Sequence, residues 1–296
     1  MEIIDKKQCF DVSLCPICGG RSSIIDTVKT INPNCSDTVN LRDCSVCRHW
    51  WIDPLPKQDY LSQLYAKNSL FVVHKGYDEE AKSSQVDMEL MQKYAAKIFR
   101  LISKPEKFNF LEIGVGHGHT FKYFEGKSNL CYGVEPGCWR TANPNIVSDI
   151  ENIPKDIKFD IMVIQDVLEH LTDPVAMLTK LKCMASKDCV ITSGFPNKDS
   201  IAAQFFKGNW RMVRPLGHIH FFSSRSIVKA FNENGWKIVV QQSCRPAHIY
   251  SWETIKQFDW KLFKDPLRGV SKLIRRLIIE QLILEKDQWF VQARAN

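Results

Sequence analysis

The sequence predicts an α/β fold, a seven-stranded sheet covered by helices, with a small cysteine-rich module ahead of it. The first observation is that short apolar strands alternate with helical segments after Lys104-Pro105, which is typical of a parallel sheet covered on both faces. The second is that two Cys-x-x-Cys pairs stand before Pro56. A chain of 296 residues can bury a large core, and one large domain with a small appendage fits better than two equal halves.

Changes of composition divide the chain into three parts. Residues 1–56 form the cysteine module, residues 57–104 a helical linker or lid with a helix expected over 79–102, and residues 105–296 the sheet domain. Strands are predicted at Phe108–Ile113, Leu130–Glu135, Asn145–Val147, Phe159–Gln165, Cys189–Ser193, Trp236–Gln241 and Gln288–Ala293. Helices are predicted at His119–Glu125, Pro174–Ala185 and Ser226–Asn234, the last with Ser224 as its N-cap and Gly235 just past its end.

A helical insertion is predicted at about 243–287, because this segment between the last two strands is too long for a hairpin turn. From Asp265-Pro266 onward, apolar residues lie on one side of the predicted helix and Lys and Arg on the other. Such a helix can pack on its own domain, can join two copies of the chain in a homodimer, or can lie on a membrane surface. The role of this basic amphipathic helix, 265–284, stays open at the level of sequence.

Composition and charge set few limits on function. With 44% hydrophobic and 25% charged residues, the chain resembles an ordinary globular protein. No apolar run reaches the roughly 18 residues that a transmembrane helix needs, and the N-terminus lacks a secretory signal, so we expect a cytoplasmic protein. The formal net charge of +7 is compatible with an anionic partner, but it also occurs in proteins that bind none.

The most informative motif is the glycine loop in Phe110-Leu-Glu-Ile-Gly-Val-Gly-His-Gly-His-Thr120. A buried strand runs into Gly114, Gly116 and Gly118, and then a helix opens. Glycines there let the backbone turn sharply and let a ligand approach the chain, and the helix N-terminus offers unpaired N–H groups. A dinucleotide-binding loop would have the spacing Gly-x-Gly-x-x-Gly, but His119 occupies the position of its third glycine.

An acidic residue follows at the distance that ribose binding requires. Leu130-Cys-Tyr-Gly-Val-Glu-Pro136 predicts a second strand that ends at Glu135, about 20 residues beyond the loop. A carboxylate there can accept hydrogen bonds from both ribose hydroxyls. A solvated acid at a strand end is the alternative, and the matching spacing counts against it.

Together these motifs resemble those of class I, Rossmann-like, S-adenosylmethionine-dependent methyltransferases. The resemblance rests on an acid, Glu112, placed before a Gly-x-Gly-x-Gly loop, and it covers roughly residues 105–242. It implies that S-adenosyl-L-methionine is the cofactor. The implied cofactor-binding residues are Glu112, Gly114, Gly116, Gly118, Glu135, Asp149, Ile150, Gln165 and Asp166.

The ends of the third and fourth strands receive their roles from the same resemblance. Asp149 is expected near the adenine amino group, with Ile150 against the ring. Gln165 and Asp166 are expected at the carboxyl end of the central strand, over the methionine portion, since ligands of open α/β sheets bind at that edge. A Glu-His pair after the fourth strand is a further point of similarity.

Three histidines are candidates for the general base that a methyl transfer to oxygen needs. His218 and His220 lie in Gly217-His-Ile-His-Phe-Phe-Ser223, which resembles the "Gly-His … Phe-Ser" segment of many small-molecule methyltransferases. His170 follows the fourth strand. We rank His218 first, with His220 and His170 behind it. A structural, hydrogen-bonding role is the alternative for each.

The cysteine module predicts a metal site. Cys15-Pro-Ile-Cys18 and Cys44-Ser-Val-Cys47 each present two thiolates from one tight turn, and two pairs complete a tetrahedral set for zinc. Such a site has no open coordination position, so a structural Zn²⁺ is expected. A redox dithiol is the competing interpretation, although it would not need two matched pairs.

Two neighbours of these pairs, Cys35 and His49, could replace one of the four cysteines as a ligand. The following segment, Trp50-Trp-Ile-Asp-Pro-Leu-Pro56 and then Tyr65, resembles the connection between such modules and methyltransferase domains of bacterial glycan and natural-product pathways. Arg48 departs from that pattern, which usually has glycine there, and the chain is shorter than the sugar C-methyltransferases of the group. Both departures bear on the C-methylation assignment.

The sequence therefore predicts methylation of an oxygen or carbon atom of a small, polar, sugar-related or nucleotide-linked acceptor. An RNA methyltransferase is the first alternative, because zinc modules also precede some rRNA methylases. Dispersed Lys and Arg residues, without a basic-aromatic strip, count against a nucleic-acid partner. A non-catalytic zinc-ribbon adaptor is the second alternative, and the intact glycine loop with Glu135 counts against it.

Overall fold

A computed structural model of the chain describes residues 6–29, 38–66, 95–96, 98–100, 106–137, 142–244 and 287–296. Most of the helix predicted over 79–102 and the whole amphipathic helix 265–284 lie outside the described residues. In the described ranges, no helix is long and apolar enough to cross a membrane.

The N-terminal part is built from short strands and one helix. They are β1 (Cys9–Phe10), β2 (Ser22–Lys29), β3 (Thr38–Cys44), β4 (Trp50–Asp53), β5 (Leu55–Pro56) and α1 (Gln58–Ala66). Strands β2, β3 and β4 form an antiparallel sheet, and β1 pairs with β5. Both turns that carry the cysteine pairs lie at the same end of this sheet, because Ser22 pairs with Cys44.

The remaining elements form the large domain. In chain order they are β6 (Asn109–Ile113), α2 (His119–Glu125), β7 (Leu130–Val134), β8 (Ile146–Val147), β9 (Phe159–Gln165), α3 (Pro174–Met184), β10 (Ala185–Pro196), α4 (Ile201–Phe206), β11 (His220–Phe221), α5 (Ser224–Glu233), β12 (Trp236–Cys244) and β13 (Gln288–Ala295). Three 3₁₀ turns, at Ile150–Asn152, Leu168–His170 and Lys207–Asn209, connect some of them.

Seven of these strands form one sheet in the order β12-β13-β10-β9-β6-β7-β8. The strands from β10 to β8 are parallel, and β13 is antiparallel to both of its neighbours. The residues from Ile161 to Ile164 in β9 are fully buried, as expected of a central strand covered on both faces. The predicted seven-stranded α/β sheet is confirmed.

Most element boundaries follow the sequence signals, with two corrections. Strand β10 covers Ala185–Pro196, where Cys189–Ser193 was predicted, and the N-cap of α5 differs. This cap is Ser223, whose Oγ accepts a hydrogen bond from the Ser226 amide, whereas Ser224 was expected to be the cap. The Ser226 side chain completes a capping box by accepting from the Ser223 amide. Gly235, with φ of 80°, follows the helix as predicted.

The cysteine module and the sheet domain are joined by a shared sheet and a shared core. Strand β11 pairs antiparallel with β4, so the small sheet has the order β11-β4-β3-β2. Cys44 and Trp51 of the module belong to the same apolar cluster as Phe222 and Ile113. The boundary placed at residue 56 thus runs through continuous packing, and the three-part division stays a prediction.

Candidate functional site

The glycine loop leaves the carboxyl end of β6 with three positive backbone torsions. Gly114, Gly116 and Gly118 have φ of 77°, 50° and 76°, a region that side chains with a β-carbon rarely occupy. A β-carbon on Gly114 would also collide with Val167, at 2.5 Å from its Cγ2. Beside Gly116, by contrast, no atom of the described residues lies within 4 Å of such a carbon. In the described ranges, the loop therefore has open space beside Gly116.

Glu135 is fixed at the edge of the sheet by two backbone amides. Its Oε2 accepts a hydrogen bond from the Gly116 amide and its Oε1 one from the Gly137 amide, each at 2.8 Å. The pairing of Ile113 with Val134 brings the loop and this carboxylate side by side. An acid held by the loop itself matches the position that the sequence assigned to ribose binding.

Glu112 lies one residue before the end of β6 and points into the interior. Only 5% of its surface is exposed, and among the described residues its Oε2 has no hydrogen-bond partner. Burial raises the pKa of this carboxyl well above its ordinary value, and the charge of Glu135 adds to the rise. Glu112 is thus placed beneath the loop rather than in the open space beside it.

The ends of the neighbouring strands lie at the same edge. Asp149 caps a 3₁₀ turn, with its Oδ1 accepting from the Glu151 amide at 2.9 Å, and Ile150 next to it is buried. Asp166 follows β9 in a left-handed conformation, with φ of 52°, and its amide donates to the Gly194 carbonyl. Carboxyl ends of parallel strands meet there, so the predicted cofactor residues converge.

Behind Asp166, a short 3₁₀ turn carries the Glu-His pair next to the loop of His218. His170 Nδ1 lies 3.0 Å from the Gly217 carbonyl oxygen, and its ring is in edge contact with the ring of His218 at 4.8 Å. His218 Nδ1 lies 2.9 Å from the Met212 carbonyl oxygen. Burial lowers the pKa of His170 to about 4, so its ring is neutral at physiological pH.

Glu169 completes this group and was not among the site residues predicted from the sequence. Its side chain is fully buried, and neither carboxylate oxygen has a hydrogen-bond partner among the described residues. Burial and the charge of Asp166 raise its pKa well above the ordinary value. One ligand atom from each of Glu169, His170 and His218 lies within 4.8 Å of the others. The Glu-His motif was the signal that could have found it.

His220 occupies a different environment, at the contact between the module and the sheet domain. It is fully buried, with its Nδ1 3.0 Å from Nε2 of His49 and its Nε2 3.4 Å from the Thr172 carbonyl oxygen. Burial lowers the pKa of His220 to about 4. The structure thus brings His170 and His218 together and places His220 apart from them.

The four predicted metal ligands converge. Cys15 Sγ lies 3.5 Å from Cys47 Sγ, Cys18 Sγ lies 3.5 Å from Cys44 Sγ, and all four sulfurs lie within 4.8 Å of one another. Zinc–sulfur bonds of about 2.3 Å in a tetrahedron place sulfurs about 3.8 Å apart, so the spacing fits a Zn²⁺ ion. His49 faces His220 instead of joining this group, and Cys35 lies outside the described residues.

The two cysteine turns share one backbone geometry. The residue after the second cysteine has a left-handed conformation in both, with φ of 69° at Gly19 and 60° at Arg48. The amides of Val46 and Cys47 point at Cys44 Sγ, at 3.3 and 3.4 Å. Burial opposes the ionisation of Cys44, but these amides and the neighbouring thiols outweigh it and lower its pKa. That favours the thiolate that a metal binds.

A family model described as a methyltransferase domain matches residues 84–241, more than half of the chain. The chain belongs to this family. The expectation of a class I, S-adenosylmethionine-dependent methyltransferase, taken from the motifs, is confirmed at this level. The match spans the glycine loop, Glu135 and all three candidate histidines.

Three similar proteins support the methyltransferase fold, but they do not identify the methyl acceptor of this chain. It is 26% identical over 147 residues to the uncharacterized protein MJ1123 of Methanocaldococcus jannaschii, covering 49% of this chain and 72% of that protein. A 1,6-didemethyltoxoflavin-N1-methyltransferase of Burkholderia thailandensis has a TM-score of 0.51 at 11% identity, over 91% of this chain and all of that one. Magnesium protoporphyrin IX methyltransferase of Synechocystis has a TM-score of 0.50 at 12% identity, over 81% and 100%.

Proposed function

We propose that the methyltransferase binds S-adenosylmethionine at the carboxyl edge of β6, β7 and β9 and methylates an oxygen, or a carbon, of a small polar molecule. The observation that carries the proposal is the clamp on Glu135, whose two oxygens accept from amides of Gly116 and Gly137. These bonds hold the carboxylate in one orientation beside open space. That arrangement suits a ribose, and both structural neighbours were solved with S-adenosylhomocysteine bound.

The residues around the clamp suit the rest of the cofactor. Gly116 and Gly118 let the loop backbone approach the cofactor closely, while their amides donate to Glu135 and to the Val115 carbonyl. Ile150 would pack against the adenine, with Asp149 next to it. Gln165 and Asp166 lie at the end of β9, toward the methionine portion. When bound, S-adenosylmethionine supplies a methyl group on a positively charged sulfur, and an in-line displacement then depends mainly on how the acceptor is held.

For the acceptor site we propose the group formed by His218, His170 and Glu169, one turn beyond Asp166. His218 remains the first candidate for the general base. His170 is the second, and His220 ranks last because it is fully buried against His49. The base must be neutral to accept a proton, and the lowered pKa of His170 satisfies this near pH 7.

The acceptor class rests on the recessed position of these rings and on the connecting segment after the cysteine pairs. His170 exposes 17% of its side chain, so a small molecule reaches it more readily than a folded RNA does. A sugar-related or nucleotide-linked acceptor therefore comes first. RNA remains the alternative acceptor, and the labelling experiment below distinguishes it from a small molecule.

We also propose a structural Zn²⁺ at Cys15, Cys18, Cys44 and Cys47. Four thiolates fill a tetrahedral ion, which leaves no position for substrate. The ion would hold the two turns together at one end of the small sheet. A non-catalytic adaptor is disfavoured by the intact glycine loop and its clamped acid.

Calorimetric titration with S-adenosylhomocysteine tests the cofactor site. We expect binding that Glu135→Gln weakens at least tenfold, since one clamped oxygen becomes an amide nitrogen. His218→Asn should keep the affinity within a few-fold and lower turnover by about 10²–10⁴, the range of a general base. Absence of S-adenosylhomocysteine binding by the wild type would overturn the proposal.

Transfer of a labelled methyl group identifies the acceptor class. Nucleotide sugars, free sugars and total RNA are offered in parallel at low and high salt. We expect label in the small-molecule arm, with little dependence on salt. Label in RNA that falls steeply with salt would replace the small-molecule proposal by the RNA alternative.

A further inference from the structure

The group formed by Glu169, His170 and His218 has the composition of a metal site. Each residue offers one ligand atom, and these atoms lie within 4.8 Å of one another. Two imidazoles and one carboxylate bind divalent transition metals in many proteins and leave coordination positions open for substrate. Methyl transfer does not by itself require such a set.

Hydrogen bonds fix both imidazoles in a tautomer that suits a metal. Nδ1 of His170 lies 3.0 Å from the Gly217 carbonyl oxygen, and Nδ1 of His218 lies 2.9 Å from that of Met212. A carbonyl oxygen can only accept, so Nδ1 donates in both rings, and a ring in its neutral form then has its lone pair on Nε2. Metal-binding histidines are commonly oriented in this way, by a backbone carbonyl on the second nitrogen.

The third residue, Glu169, supplies a carboxylate. No group in the described ranges donates a hydrogen bond to it. Glu169 is fully buried, and both of its carboxylate oxygens are without a hydrogen-bond partner there. A buried carboxylate in that state is costly. Either a proton or a cation must compensate it, and two imidazoles beside it favour the cation.

We propose that Glu169, His170 and His218 bind one divalent first-row transition-metal ion, separate from the zinc of the cysteine cluster. The open positions of this ion would face the acceptor. The role of the ion in catalysis rests on the proposed function, whereas its binding does not.

With the ion bound, the histidines act as ligands and not as bases. An acceptor hydroxyl that coordinates the ion has a lower pKa and releases its proton to solvent water. Its oxygen then forms the bond to the methyl carbon while the carbon–sulfur bond breaks, and that electron pair stays on sulfur. The products are the methyl ether and S-adenosylhomocysteine. Without the ion, His218 is left to take the proton itself.

The test uses the full chain with zinc in its cysteine cluster, in the absence of acceptor. Mn²⁺ is the probe because it binds carboxylate oxygen and is the weakest of the first-row divalent ions at thiolates, so it leaves the zinc in the cysteine cluster. Electron paramagnetic resonance measures the free Mn²⁺. We expect one Mn²⁺ bound per chain and a Tm that rises with Mn²⁺ concentration, because a ligand of the folded state stabilises it.

Two variants locate the ion, and a third is the control. Glu169→Gln and His218→Asn should each weaken Mn²⁺ binding at least tenfold. Glu233→Gln, which removes an exposed carboxylate on α5, should bind as the wild type does. Without Mn²⁺, the Tm of Glu169→Gln should equal or exceed that of the wild type, since the variant removes a buried carboxylate whose oxygens have no hydrogen-bond partner in the described ranges. This result would show that the variant folds.

Wild-type protein that leaves Mn²⁺ free and its Tm unchanged would overturn the inference and assign a proton to Glu169. Variants that bind as tightly as the wild type would overturn it as well. Calorimetry with S-adenosylhomocysteine on the same samples separates this outcome from failure of the proposed function. Binding of S-adenosylhomocysteine without binding of Mn²⁺ would contradict the metal site alone. Binding of Mn²⁺ without binding of S-adenosylhomocysteine would contradict the proposed methyl transfer.

Discussion

Burial of Glu112 beneath the glycine loop costs free energy of folding. Its carboxyl is buried, with Oε2 lacking a hydrogen-bond partner among the described residues, and burial raises its pKa well above 4.5. The folded chain therefore keeps a proton that the unfolded chain releases once the pH passes about 4.5. The contribution of Glu112 to the free energy of unfolding therefore falls as the pH rises from there to the raised pKa, and then levels off.

Replacing Glu112 by Gln removes this dependence. We expect Glu112→Gln to unfold like the wild type near pH 4.5 and to gain at least about 1 kcal/mol over it at pH 8, because each unit of pKa shift is worth about 1.4 kcal/mol. Urea denaturation at several pH values measures the difference. The exposed Glu106→Gln serves as the control and should show no such gain. A loss of stability in Glu112→Gln at pH 8 would mean that the carboxylate is favourably paired.

At the scale of elements, the features that could be predicted from the sequence are those set by residues close together along the chain. The parallel strands are mainly apolar runs, and glycine or proline lies at or just beyond the ends of β6, β7 and β10. The prediction for Phe159–Gln165 matches to the residue. The cysteine cluster was predictable because each pair is local to one turn. The pairing of β11 with β4 was not, since these strands are far apart in sequence and His220–Phe221 is too short to show a pattern.

The same limit applies to the histidines. Their residue types and the Gly-His segment made them candidates, but only the fold separates His218, beside His170, from His220, two residues on. In an extended strand, side chains two residues apart lie on the same face, but β11 begins only at His220, so His218 lies outside the strand. The Glu-His motif drew attention to Glu169, but its burial without a hydrogen-bond partner in the described ranges became visible only in the fold.

Helix α5 begins at a residue that also holds the cysteine module. Ser223 Oγ accepts from the Ser226 amide and donates to the Cys47 carbonyl at 2.6 Å. We expect Ser223→Ala to cost about 2–3 kcal/mol, combining a lost N-cap of about 1 kcal/mol with a buried carbonyl left unsatisfied. Ser226→Ala removes the reciprocal bond of the capping box and the bond that Ser226 Oγ donates to the Ser223 carbonyl, both within one helical turn, and should cost about 1 kcal/mol. Equal losses in the two variants, measured by denaturant unfolding, would show that the bond to Cys47 contributes nothing.

At the scale of the whole molecule, the module and the sheet domain form one packed unit in the described ranges. Strand β4 pairs with β11, the Ile52 amide donates to the Ile219 carbonyl, and the Ile219 amide donates to the Glu169 carbonyl. Hydrogen bonds thus run from the module directly to the turn that carries the candidate acceptor site. Loss of the metal should therefore destabilise this turn as well as the first 56 residues.

Differential scanning calorimetry of Cys44→Ser tests this coupling. A structural zinc contributes several kcal/mol or more to folding, so we expect the variant to lose zinc and to unfold in one transition, lowered on the order of 10 °C. Cys183→Ser, which changes an exposed cysteine outside the cluster, should keep both zinc and Tm. If Cys44→Ser instead shows a small early transition followed by the main one at the wild-type temperature, the module unfolds alone. The hydrogen bonds from β4 to Ile219 would then be too weak to transmit its state to the site.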